Sequence, residues 1–166
     1  MKTLLKVFAI CIGLSVASTP AFTQDHNSKQ HQNKQGHIII NQDNFQWQDG
    51  PASLPKGAKM AVLEGDPAKE GPFTLRLKVP ANYNVPPHWH PAIEHVTVIK
   101  GVLYMGAGDK MDMNSATKIT EGGLAVMPIK HVHYAFTKEE ATIQLHGIGP
   151  WGINYVNPKD DPRNSK

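Results

Sequence analysis

The densest chemistry in this chain lies in Pro86-Pro87-His88-Trp89-His90-Pro91-Ala92-Ile93-Glu94. In an extended backbone, side chains at i and i+2 leave the same face roughly 6–7 Å apart. His88 and His90 can therefore converge on one ion with nitrogen–metal distances near ~2.1 Å, while Trp89 points the other way. Pro86, Pro87 and Pro91 bracket the pair and stiffen the backbone that presents it. Glu94 opens a run in which Glu94, Val96 and Val98 share a face. A carboxylate on an apolar face is a buried charge in need of a partner, and a divalent cation supplies one. The fourth donor comes later. Residues 122–133 read as a strand, a proline turn at Pro128 and a second strand opened by His133. His131 has the same parity but sits in the turn, and is the rival for that place.

Strands must position these groups. Residues 73–79, FTLRLKV, alternate Phe73, Leu75, Leu77 and Val79 against Thr74, Arg76 and Lys78, the pattern of a strand with one dry face. Further strands are expected at 37–40, 59–65, 93–100, 102–106, 124–127, 133–137, 141–146 and 153–156. Gly, Pro, Asn or Asp punctuates most gaps, and no long window keeps a helical period. Gly 14 and Pro 13 in 166 residues fit a chain of many tight turns. The expectation is one all-β domain, a sandwich or closed barrel.

Together, the two histidine segments resemble the two cupin motifs. His88, His90, Glu94 and Gly101 fall in register with G-x5-H-x-H-x3-E-x6-G. Gly122, Pro128 and His133 fall in register with G-x5-P-x-G-x2-H-x3-N. The departures are Asn82 for the first glycine, Lys130 for the turn glycine and Thr137 for the final asparagine. Asn tolerates the left-handed backbone that the glycine serves. The resemblance implies a cupin jelly-roll barrel over 38–157, with one divalent ion on His88, His90, Glu94 and His133. Zn, Ni, Cu, Fe and Mn all suit such donors. It also implies a small-molecule ligand and a wide range of activities: dioxygenase, isomerase, decarboxylase, lyase, or a non-catalytic sensor or storage module. A homodimer is expected, with outward-facing Trp89 as a contact.

A two-residue turn at Lys100-Gly101 would pair Val98 with Leu103 and Val96 with Met105, turning Leu103 and Met105 toward the cavity. The strand 141–146 is expected to form a hairpin with 133–137. Gln144 and His146 share one face of it. If that face is the inner one they orient ligands or substrate; if it is the outer one they are solvated. His95 should point outward. The stretch 107–121 reads as a surface loop, with a lid over the barrel mouth as the alternative.

The start of the chain belongs to no fold. Two lysines lie within the first six residues, an apolar run covers most of 4–17, and Thr19-Pro20-Ala21 offers small residues for cleavage. This is the pattern of a secretory signal peptide over 1–21, and it makes the mature chain periplasmic or secreted. The apolar run is shorter than the ~20 residues a membrane span needs. The only cysteine, Cys11, leaves with the leader, so a mature metal site must use His and carboxylate. Residues 22–37 read as a polar disordered linker and 158–166 as a charged surface tail. The net charge of +3, with no Lys/Arg block, argues against nucleic acid as a partner.

Overall fold

The computed structural model describes residues 36–164. The expected leader, and all but the last two residues of the expected linker, lie outside the described residues. Two antiparallel sheets face each other. One has six strands in the order β1-β2-β3-β10-β5-β8, the other five in the order β11-β4-β9-β6-β7. In chain order the strands are β1 (Gln48–Asp49), β2 (Lys59–Glu64), β3 (Gly71–Val79), β4 (Asn84–Trp89), β5 (Glu94–Lys100), β6 (Leu103–Ala107), β7 (Thr117–Ile119), β8 (Leu124–Met127), β9 (His133–Phe136), β10 (Ala141–Gly149) and β11 (Asn154–Tyr155). This is the expected all-β jelly roll.

Alternation places each strand's dry face. In β3, Phe73, Leu75, Leu77 and Val79 are buried while the residues between them are half-buried. In β5, Glu94, Val96 and Val98 are buried on one face, as their spacing predicts. Val96, Val98, Ile143 and Leu145 of the six-stranded sheet pack across the interior with Leu103 and Met105 of the other. Each fully buried aliphatic side chain contributes about 1.5–3 kcal/mol relative to exposure.

Three expectations are corrected. First, β5 and β6 are not a hairpin. They belong to different sheets, and Gly101 turns the corner between them. Leu103 and Met105 still face inward, because the two strands oppose each other across the interior rather than side by side. Second, β9 and β10 also lie in different sheets, with β9 pairing β4 and β6 and β10 pairing β3 and β5. A turn signal is the same whether the chain folds back along one sheet or crosses to the facing one. Third, the run 37–40 is not a strand. Only Ile38 makes a bridge, and Ile38 and Ile39 are exposed. The arm from there to β1 lies on the outer face of the six-stranded sheet, with Lys78 Nζ 4.2 Å from the Trp47 ring and Arg76 5.7 Å from that of Phe45.

The stretch 107–121 is part strand: β7 pairs β6, too short and polar to show in alternation. Its loop is tied down, since Tyr134 Oη donates to the Asp112 carbonyl at 2.7 Å. Gly106 makes room for that tyrosine ring, which a Cβ would strike. The expected tail forms two short 3-10 turns, Pro158–Asp160 and Pro162–Asn164. Arg163 ties the second to Asp161 at 2.7 Å and to the Ile153 carbonyl at 3.1 Å.

The motif turns are left-handed where glycine is usual. Gly101 has φ +82°, Gly122 +79°, Asn82 +56° and Lys130 +59°. An L residue pays about 1–2 kcal/mol there. A Cβ on Gly101 would also lie 2.6 Å from the Glu140 carbonyl oxygen. Gly101→Ala is therefore expected to destabilise the domain by about 2 kcal/mol or more. Lys130→Gly should stabilise it slightly, by less than about 1 kcal/mol once glycine's extra unfolded-state entropy is counted. Urea midpoints measure both, and an unchanged Gly101→Ala midpoint contradicts the tight corner.

Candidate metal centre

Four predicted residues meet at one place from three parts of the fold. His88 is the last residue but one of β4 and His133 begins β9, and the two are direct partners in the antiparallel ladder. His90 stands one residue past β4, in the connection crossing to the other sheet, and Glu94 is the first residue of β5. All four are buried. One ligand atom from each of the three imidazoles lies within 4.8 Å of the others, so the trio could hold a metal ion. A Glu94 carboxylate oxygen lies 3.4 Å from His90 Nε2 and 3.6 Å from His133 Nε2.

The hydrogen bonds set the tautomers. His88 Nδ1 bonds the Pro86 carbonyl at 2.7 Å, His90 Nδ1 the Gly152 carbonyl at 2.8 Å, and His133 Nδ1 the His131 carbonyl at 3.0 Å. A carbonyl only accepts, so each Nδ1 carries the proton and each Nε2 presents a lone pair. Nε2 of His90 and of His133 is buried without a hydrogen-bond partner. Their 3.4 and 3.6 Å contacts with Glu94 are long for a hydrogen bond and match the span of two donors each ~2.1 Å from one ion. This pattern, ligating nitrogens free and the opposite nitrogens tied to carbonyls, is how histidines are set for a metal.

The electrostatics agree. Burial, with the neighbouring charges of His133 and His90, pushes the His88 imidazolium down to about 3, so His88 is neutral at physiological pH. Burial by itself raises the Glu94 carboxyl. A proton on Nε2 of His133 or His90 would more than offset this, by hydrogen bond and charge, and hold it below the usual carboxylate range. One buried negative charge thus sits among buried lone pairs, an arrangement a cation satisfies.

The other candidate residues sort themselves by face. Leu103 and Met105 line the enclosed cavity beside the four ligands, as expected. His131 is exposed and is not the fourth donor, since its ring stands 6.4 Å from that of His133. Its carbonyl fixes the His133 tautomer instead, and its side chain borders an open groove between β7 and β8. Gln144 and His146 are on the outer face and orient nothing in the cavity. The intervening Ile143 and Leu145 are the inward residues, and alternation turns Gln144 and His146 away. Gln144 accepts from Arg76 Nε at 2.9 Å. His146 stacks on outward-facing His95, ring centres 4.7 Å apart.

Sequence reasoning missed Trp151, Gly152 and Tyr155. Trp151 stacks on the His90 ring at 4.6 Å, and the next residue's carbonyl accepts the hydrogen bond from His90 Nδ1–H. The Tyr155 ring lies 5.9 Å from that of His88. An indole between Pro150 and Gly152, in a chain with only Trp 3, was the available signal.

A family model described as "ChrR Cupin-like domain" matches residues 35–150. No curated protein matches. Similar solved structures include the polyketide cyclase RemF from Streptomyces resistomycificus, 14% identical with a TM-score of 0.64, over 76% of this chain and 90% of that one. A protein from Methylibium petroleiphilum provisionally assigned as an acetylacetone dioxygenase is 18% identical with a TM-score of 0.58, over 76% of this chain and 85% of that one. An RmlC-like cupin from Shewanella frigidimarina is 11% identical with a TM-score of 0.53, over 66% and 88%. At such identities these likenesses carry the fold alone. The family match spans most of the chain and includes both histidine segments, and the chain belongs to the ChrR cupin-like domain family within the cupins.

Proposed function

We propose that this chain is an exported metal-dependent cupin in which His88, His90, Glu94 and His133 hold one divalent ion that acts on a small organic molecule. The observation that carries the reading is the set of three buried, mutually close imidazoles, each with Nδ1 on a carbonyl, with Nε2 of His90 and of His133 3.4 and 3.6 Å from the Glu94 carboxylate. When bound there, a divalent ion supplies Lewis-acid or redox chemistry to a ligand's oxygens. The chain's own residues do the rest. The carbonyls of Pro86, Gly152 and His131 keep the rings in one tautomer and orientation. Glu94 lowers the charge of the site by one. Leu103, Met105, Val96 and Ile153 keep bulk water from the cavity. Trp151 fixes the plane of His90.

The reaction class remains dioxygenase-, isomerase- or lyase-like. The relatives of similar fold include a polyketide cyclase and a provisional acetylacetone dioxygenase, which favours oxygen-bearing organic substrates. A non-catalytic binding or sensor role is the second reading. It is favoured by the lack, among the described residues lining the cavity, of a free hydroxyl or acid beyond the four candidate ligands, since the unpartnered Trp151 Nε1–H is not an acid at physiological pH. Thr137 Oγ1 donates to the Pro80 carbonyl at 2.8 Å, and Tyr83 Oη donates to the Pro55 carbonyl at 2.6 Å.

An exported chain meets its metal outside the cytoplasm, where the affinity order favours Cu, Ni and Zn over Mn and Fe. Elemental analysis of protein folded in the periplasm is expected to find about one equivalent of Zn, Cu or Ni; a full complement of Mn rejects that order. His133→Ala should lose the metal, and chelation of the parent should lower its thermal midpoint, since a ligand that binds only the native state stabilises it. Trp151→Ala should weaken the metal about 10- to 100-fold, the usual cost of losing a group that orients a ligand, while Trp151→Phe stays near the parent. Turnover of a panel of diketones, phenols and hydroxy acids by the metal-loaded protein separates the readings. Product from any of them supports the enzyme, and none from all supports the binding module.

A further inference from the structure

The enclosed cavity beside the four ligands has room for only about 60 Å³. An apolar cavity that takes up benzene measures about 150 Å³, and one water needs some 10–15 Å³. The barrel interior can therefore take an ion and a few waters, but not the body of an organic molecule. A second space of about 450 Å³ adjoins it, within the usual size of a small-molecule site. This is the open groove where the sheets part, between the inward faces of β7 and β8. Met105 and His133 line both spaces and form the wall between them.

The groove's lining is informative. Ile119, Ala125, Met127 and Met105 make its apolar surface, Ser115 and Thr117 add hydroxyls, and His131 stands at the border. No Asp, Glu, Lys or Arg lines it, and the enclosed cavity has Glu94 as its one charged side chain. A charged group on the part of the molecule that lies in the groove, away from the metal end, would find no Lys or Arg to pair with, and burying an unpaired charge is costly.

From this we infer that the groove between β7 and β8 takes the uncharged, largely apolar body of a molecule that reaches the metal centre past His133 with its oxygen-bearing end, and that Met105 decides how far it enters. This deepens the function proposed above and rests on it for the metal, though not for the groove. Met105 suits the role, because an unbranched thioether repacks readily around a partner of irregular shape.

The test is a titration followed by methyl NMR of the full mature chain, with metal content measured on the same samples. The probe is 1-phenylbutane-1,3-dione, a diketone too large for the interior cavity; 1-(4-carboxyphenyl)butane-1,3-dione, with the same metal-binding end and a carboxylate on the ring, is its counterpart with a charged body. The diketone should shift the methyl signals of Met105, Ile119 and Met127 and leave Ile148, on the outer face, unmoved. Thr117→Trp fills the groove from an exposed position, and should raise the half-saturating concentration at least tenfold without altering metal content; Ala125→Phe is the second filling variant should the first fail to fold. Met105→Ala should lower it. The ring carboxylate should make that counterpart bind at least tenfold more weakly than the parent diketone. Diketone shifts confined to the outer face, absent shifts, binding indifferent to both filling variants, or equal binding of the two probes each overturns the inference. A chain that takes up no metal but still shows groove shifts overturns the metal reading alone.

Discussion

The pairing of β4 with β9 is the constraint on which the site depends. It sets His88 directly opposite His133, and a slip of one residue would turn one imidazole out of the barrel. The same ladder ends within a residue of His90, where the chain leaves one sheet for the other and arrives at Glu94. The ligands are thus gathered at a crossing between layers. Neither sheet contains the site, and neither could form it alone.

What this gathering costs is electrostatic. A carboxylate 4% exposed and three imidazoles 1–4% exposed have given up their hydration. An isolated buried charge would be expensive, and mutual contacts relieve only part of that expense. Backbone carbonyls satisfy one nitrogen of each ring, while Nε2 of His90 and of His133 lies beside the carboxylate with no hydrogen-bond partner. A divalent cation would balance this arrangement. Trp151 belongs to the same arrangement, since its ring stacks on that of His90.

The jelly roll by itself does not decide a reaction. What individualises this member is the distribution of room and charge. The interior is nearly filled by Val96, Leu103, Met105 and their neighbours, so little beyond an ion and its waters fits there. The open seam between β7 and β8 keeps the larger space, and its surface is neutral. The outer face of the six-stranded sheet carries a different surface, with His95 stacked on His146 near exposed Ile93 and Ile148.

The sequence by itself determined the ligand types, the strands that carry most of them and the turns between. His88 and His90 are two residues apart, Glu94 opens an alternating run, and the left-handed positions are occupied by Gly101, Gly122, Asn82 or the tolerated Lys130. These are local facts, because parity along a strand and the sign of φ at a turn depend only on neighbouring residues. Tertiary structure alone decided which strands pair. Gly101 turns a corner between sheets rather than a hairpin, and β9 and β10 part company for the same reason: a tight turn has one chemistry and two uses. It also decided that Gln144 and His146 face outward, since alternation shows that two faces differ without saying which is inside. Trp151 and Gly152 reach His90 from some sixty positions away, |i−j|=62 for the hydrogen bond, and no pattern along the chain records a contact that only folding makes.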